Sequence, residues 1–319
     1  MKNSTQRLLP TLKWMYLLIA CFVVFILNSC SSSREVQFNL SMSAPHKDGS
    51  FDISMVSFIG HDTFDFGGSR IFYKQLRYLT SHGDSLNIEI WTPPTPVDSS
   101  RLVVLLNGFE GKAIFLYSLA IEATRKGSVV MIANHRGYDL NASSHKDYGT
   151  LEGRDVIDAL NVYEKNLRAP VTFKVYGVSL GAVLALNILL YDPRAKAAAL
   201  EAMMLDQLAL APTYMKPSEH DTLQALLRVN ASNNLVSSPQ AIFEANTITK
   251  PLLVIWGKED KLVSLTERTQ LKTLIQQKAK NVDFIEVEGG GHNIRYGFPL
   301  SKEKALKLNA DIVDFLRQH

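Results

Sequence analysis

The chain has 319 residues, room for one large domain or two small ones, and its 46% apolar and 20% charged residues exclude a disordered chain. Its 34 basic residues exceed the 31 acidic ones by the three in the first 29 positions, Lys2, Arg7 and Lys13. The remainder is balanced, which leaves no charge argument for nucleic acid.

Those first positions read as a targeting segment. Behind the basic leader, Trp14 to Leu27 is an unbroken apolar run of 14 residues. A membrane-spanning helix needs roughly 20, so the run suits a signal-peptide core better. It ends in Leu27-Asn28-Ser29-Cys30, which resembles a bacterial lipobox, with Asn28 where alanine or serine is more usual. The resemblance implies cleavage before Cys30, lipid attachment to Cys30 and a membrane-anchored lipoprotein of the bacterial cell envelope. The alternatives are an uncleaved signal anchor and a generic signal peptide beside a chance cysteine. Residues 1–29 are thus expected to be a signal peptide, 30–50 a Ser-, Asn-, Lys- and Pro-rich tether, and 51–319 the folded domain. The two cysteines are Cys21 and Cys30. The domain is therefore expected to hold no disulfide, thiol ligand or thiol nucleophile.

From Phe51 to Trp91 the pattern is short strands and turns, with clear alternation over Ser85–Trp91. His61-Asp62 and His82-Gly83-Asp84 lie in turn-rich sequence and read as surface turns. Thr92-Pro93-Pro94-Thr95-Pro96 marks a loop. Strands and helices then alternate. Strands are expected at Leu102–Leu106, Val129–Ala133, Val171–Tyr176, Leu252–Trp256 and Val282–Val287. Helices are expected at 113–126, stopped by Gly127, at 151–168, at 182–190 before Asp192-Pro193, and at 301–317. Short, wholly apolar strands separated by helices indicate a mostly parallel sheet covered on both faces, with sites at the strands' carboxyl ends. Ala195–Met204 is open between helix and strand. Residues 205–248 break the alternation and read as a small lid insertion or as ordinary helical core.

One stretch carries chemistry. Gly177-Val178-Ser179-Leu180-Gly181 is G-x-S-x-G between a strand and a helix, the pattern of a nucleophile elbow. A serine on so sharp a turn has strained backbone angles, and the residues two before and two after it must be small where strand and helix close up. The turn presents the Ser179 hydroxyl outward and aims the backbone N–H of Leu180 at the reacting carbonyl.

With Asp260 after one late strand and His292 after the next, residues from about 85 to 319 resemble an α/β-hydrolase in the order nucleophile, acid, histidine. The resemblance implies Ser179 as nucleophile, His292 as general base and Asp260 as the acid that orients the imidazole, with Asp206 as reserve acid. It also implies an oxyanion hole from the backbone N–H groups of Phe109 and Leu180. Relatives commonly carry His-Gly-x-x-Gly where this chain has Asn107-Gly108-Phe109-Glu110-Gly111, which puts the subfamily in question. His135-Arg136-Gly137-Tyr138 resembles the family's Asp-x-Arg-Gly-x-Gly loop with changes, and Arg136 reads as structural. The expected activity is hydrolysis of an ester, thioester or amide of a hydrophobic acyl group through an acyl-serine; peptidase and acyltransferase chemistry share the machinery. The contrasting class is a non-catalytic envelope lipoprotein that uses the fold as a binding module. Metal and nucleotide chemistry have little support. The eight histidines are scattered without H-E-x-x-H, there is no phosphate-binding loop, and no cofactor is expected.

Overall fold

The computed structural model describes residues 37–39, 55–58, 63–66, 69–95, 101–142, 144–147, 149–230, 238–294 and 300–319. The leader, Cys30 and the His61-Asp62 pair lie outside them. Five N-terminal strands pair antiparallel in succession: β1 (Gln37–Asn39), β2 (Met55–Phe58), β3 (Thr63–Phe66), β4 (Ser69–Leu79) and β5 (Ser85–Thr92). β1 falls inside the expected tether, so Gln37–Asn39 belong to the edge of the sheet instead. Three residues are too few to show a period, and only pairing with β2 makes them a strand.

Six parallel strands follow: β6 (Leu102–Leu106), β7 (Val129–Ala133), β8 (Phe173–Val178), β9 (Ala195–Glu201), β10 (Leu252–Gly257) and β11 (Val282–Val287). The order across the sheet is β1-β2-β3-β4-β5-β7-β6-β8-β9-β10-β11. This is an α/β-hydrolase fold. Ala195–Glu201, ambiguous from its alanines, is a strand because β8 and β10 pair with it on either side, and that pairing overrides alanine's helical preference.

The helices divide between two apolar faces. One face carries α1 (Tyr117–Arg125), entered through a 3₁₀ turn at Ala113–Leu116 and ended at Gly127 with φ +85°. The other carries α2 (Glu152–Leu167) and α3 (Leu180–Tyr191). The described residues of the 205–248 stretch divide between two apolar clusters. α4 (Gln207–Tyr214) and α5 (Pro217–Asn230) bury a small cluster of their own, Ala211, Met215 and Leu223. α6 (Pro239–Ala245) instead drives Ile242 and Phe243 into the main core. α7 (Leu265–Lys278) joins that second face, and the C-terminal α8 (Lys302–Gln318) lies on the α1 side. No helix among the described residues is long and apolar enough to cross a membrane.

The chain leaves β6 for β7 on one side and β8 for β9 on the other. The strand order therefore reverses at β6 and β8, and the loops that follow them emerge at the carboxyl edge, where sites of such sheets form. Ser179, Asp260 and His292 follow β8, β10 and β11 at that edge.

Candidate active site

The elbow is built by sterics. Ser179 has φ 56° and ψ −118°, a conformation that strains any residue but glycine. A Cβ on Gly177 would run into the Gly181 carbonyl, and one on Gly181 into the carbonyls of Leu106 and Asn107. The strand, the helix and the neighbouring loop touch backbone to backbone, so neither position tolerates a side chain. Hydrogen bonds hold the turn: the Ser179 N–H donates to the Glu201 carbonyl at 2.8 Å, and the Ser179 carbonyl accepts from Ala182 N–H at 2.9 Å.

Asp260 follows β10. Its Oδ1 accepts the N–H groups of Leu262 and Val263 at 2.8 and 2.9 Å, and its Oδ2 lies 3.0 Å from His292 Nδ1. A carboxylate can only accept, so Nδ1 carries the ring proton. Nε2 is then an acceptor, and it stands 2.9 Å from Ser179 Oγ, whose O–H donates to it. The Asp260 side chain is fully shielded from solvent, while the His292 side chain keeps 16% of its surface. The three residues singled out from sequence therefore meet. The reserve acid Asp206 caps the start of α4 through its carbonyl, which accepts from Leu210 N–H, and the histidine's acid partner is Asp260.

Bringing the acid loop to the histidine loop needs a second glycine contact that sequence inspection missed. A Cβ on Gly257 would overlap Gly290, and Glu259 N–H donates to the Gly290 carbonyl at 2.9 Å. Arg268 was missed as well. Its guanidinium donates to the carbonyls of Gly257 and Lys258 at 2.8 and 3.1 Å, pinning the acid loop from α7. The signal existed: Arg268, Leu271 and Ile275 follow helical spacing, which places a charge on the buried stripe.

The loop after β6 reaches the nucleophile because Gly108 has no side chain; a Cβ there would sit 3.1 Å from that of Ser179. The Phe109 ring packs on the Ala211, Met215 and Leu223 cluster of α4 and α5 and meets Tyr138 edge-on at 6.0 Å. Leu180 supplies the first helical N–H of α3, directly after the serine. Both backbone donors expected at the oxyanion hole thus belong to segments at Ser179.

Two buried polar groups flank this edge. Arg136, only 2% exposed, grips Asp155 through Nε and Nη2 at 2.7 Å each, and its Nη1 pairs with Asp84 and Asp147 at 2.8 Å. A charge so deeply buried persists because it is paired, and the cluster ties the loop after β7 to α2. Arg136 is structural, as expected, whereas Asp84 is one of its anchors rather than a plain surface turn. Glu201, 1% exposed, accepts from the Tyr176 hydroxyl at 2.7 Å, and burial pushes its carboxyl up to about 8. No group of three or more metal-ligating side chains occurs among the described residues.

The sequence profile of the prolyl oligopeptidase family matches residues 117–319, well over half the chain. The chain belongs to the prolyl oligopeptidase family. It is accordingly an enzyme of the α/β-hydrolase type within the serine hydrolases. No curated protein matches it in sequence. Among solved structures it is similar to the Pyrococcus furiosus esterase Pf2001, with a TM-score of 0.56 and 18% identity over 77% of this chain and 92% of that one. A cold-adapted esterase from an Arctic intertidal metagenomic library gives 0.54 and 19% identity over 79% and 97%. The Pyrococcus horikoshii acylaminoacyl peptidase gives 0.57 and 16% identity over 85% of this chain but 46% of that one. At such identities these structures establish the fold of this family member and nothing of its substrate.

Proposed function

We propose that this member of the prolyl oligopeptidase family hydrolyses an ester, or a thioester or amide, of a hydrophobic acyl group through an acyl-serine intermediate. The observation that carries the reading is the unbroken relay from Asp260 through His292 to Ser179, with links of 3.0 and 2.9 Å. Ser179 Oγ attacks the substrate carbonyl as its proton passes to His292 Nε2. Asp260 keeps the Nδ1–H tautomer and stabilises the imidazolium. The N–H groups of Phe109 and Leu180 receive the oxyanion. Collapse breaks the bond to the leaving group, which takes the proton from His292 and departs as alcohol, thiol or amine. Water, deprotonated by the same nitrogen, then attacks the acyl-serine, releasing the acid and restoring the Ser179 hydroxyl.

The partly buried Phe109 ring, carried by the loop beside Ser179, favours a hydrophobic acyl group. The family name and the acylaminoacyl peptidase likeness favour an amide as the second reading. A screen of chain-length-graded acyl esters against acylated peptides and thioesters, run beside phosphonate labelling of Ser179, tests both. Ester turnover that rises with chain length is expected; turnover confined to peptides transfers the assignment. An unlabelled Ser179 and an inert protein leave only the binding-module role. Cys30, from its lipobox-like setting, is proposed as the site of a lipid anchor that holds the enzyme at a cell-envelope membrane. Cys30→Ser is expected to abolish incorporation of labelled fatty acid, and unchanged incorporation removes the anchor.

A further inference from the structure

The loop that approaches the nucleophile runs from Asn107 to Gly111; Phe109 packs on Ala211, Met215 and Leu223, Glu110 pairs with Lys146 at 3.3 Å, and Gly108 and Gly111 have no side chain. Its orientation matters, because in a trans peptide the carbonyl and the following N–H point in opposite directions. Whichever way a carbonyl faces, the next N–H faces the other way, and a flip would present an oxygen where a donor is needed.

Two of this loop's hydrogen bonds orient its backbone carbonyls. The Gly108 carbonyl accepts from Gly111 N–H at 3.1 Å, which sets the peptide bearing the Phe109 N–H. The preceding carbonyl, that of Asn107, lies 2.6 Å from Nε2 of His135, which stands at the exit of the neighbouring strand β7. A carbonyl only accepts, so Nε2 carries a proton. His135 is 4% exposed, and burial holds its ring below the ordinary imidazole range, more than the bond to Asn107 restores. The ring is therefore neutral at neutral pH, with Nδ1 bare. Protonation would add a proton at Nδ1 and leave the Nε2–H donor in place. The Asn107 carbonyl also lies against Gly181, so the bond closes a ring of contacts from β7 through the loop to the start of α3.

We infer that His135 is a positioning residue: its Nε2–H clamps the Asn107 carbonyl and so holds the oxyanion loop in the orientation that turns the Phe109 N–H toward the substrate. The side chain touches neither substrate nor Ser179 in this role. The inference rests on the hydrolase reading above, since only a reaction through an oxyanion makes the loop's orientation matter to turnover.

The test is the full-length protein carrying His135→Phe, which keeps a flat ring without a donor, and His135→Gln, whose amide can donate to the same carbonyl. Removing an oxyanion donor outright costs about 100- to 1,000-fold in kcat, so loosening its support is expected to cost about 10- to 100-fold in His135→Phe, with KM changed by no more than about twofold. His135→Gln is expected to recover most of that loss. Equal kcat in wild type and His135→Phe, or a loss that Gln does not restore, overturns the inference. So does a loss confined to KM. If His135→Phe does not fold, His135→Met serves as the donor-free variant. Nitrogen-15 spectra of the wild type decide independently of any variant: a neutral ring protonated at Nε2 is expected, and a ring protonated at Nδ1 alone overturns the clamp. A wild type that hydrolyses nothing fails the functional reading instead, and the nitrogen spectrum still reports on the hydrogen bond.

Discussion

Two histidines stand at the carboxyl edge of this sheet, and their partners give them opposite tautomers. His292 has a carboxylate at Nδ1, which draws the proton there and leaves Nε2 as an acceptor facing a hydroxyl. His135 has a backbone carbonyl at Nε2, which draws the proton to that side. The first keeps some solvent exposure and can exchange protons with a substrate; the second is sealed and keeps its donor. The same imidazole serves as a proton carrier or as a fixed clamp according to which nitrogen meets an acceptor. In the proposed mechanism both act on one reaction, one by moving a proton and the other by holding a peptide still.

The largest effect expected from breaking this contrast is at the relay itself. Ser179→Ala and His292→Ala are each expected to lower kcat by about 10⁵- to 10⁶-fold, and the double variant to fall no further, because the two act as a unit. Steady-state kinetics of the three proteins check this; additive losses would mean that the serine and histidine do not work together. Next comes Asp260→Asn, which replaces the acceptor at Nδ1 with a group that can donate. The substitution is expected to push His292 toward the tautomer His135 has, with Nε2 protonated and unable to take the serine's proton, lowering kcat by about 10⁴-fold with little change in KM. Full activity in the Asp260→Asn enzyme would transfer the role to another carboxylate.

The smallest effect separates the elbow's support from its chemistry. The carboxyl of Glu201 is raised by burial from 4.5 to about 8, so between those values the folded chain holds a proton that the unfolded chain has lost. Its contribution to stability is fully present below about 4.5 and is lost as pH rises through about 8. Glu201→Gln cannot titrate, so the variant is expected to gain on wild type in urea midpoint between pH 5 and pH 8.5. A gap that stays constant across that range would show that Glu201 does not hold its proton in the fold.

Gly177, Ser179 and Gly181 were legible in the sequence because the elbow is a local steric problem, solved within five consecutive residues. The parallel strands were legible because runs such as Leu102–Leu106 and Leu252–Trp256 are wholly apolar and too short for helices. So were the helices at 151–168 and 301–317, whose apolar residues recur at helical spacing. The order of Ser179, Asp260 and His292 came from resemblance, since no periodicity joins residues 113 positions apart. What the tertiary structure decided lies across such distances. It made a strand of Ala195–Glu201 by placing it between β8 and β10, and it sent Ile242 and Phe243 of α6 into the main core while α4 and α5 cover a separate cluster. It seated Asp260 rather than Asp206 on the imidazole and set His135 against a carbonyl 28 positions away. Local sterics and periodicity are written in neighbouring residues, whereas a hydrogen bond between distant segments exists only once strand pairing has fixed which loops emerge side by side.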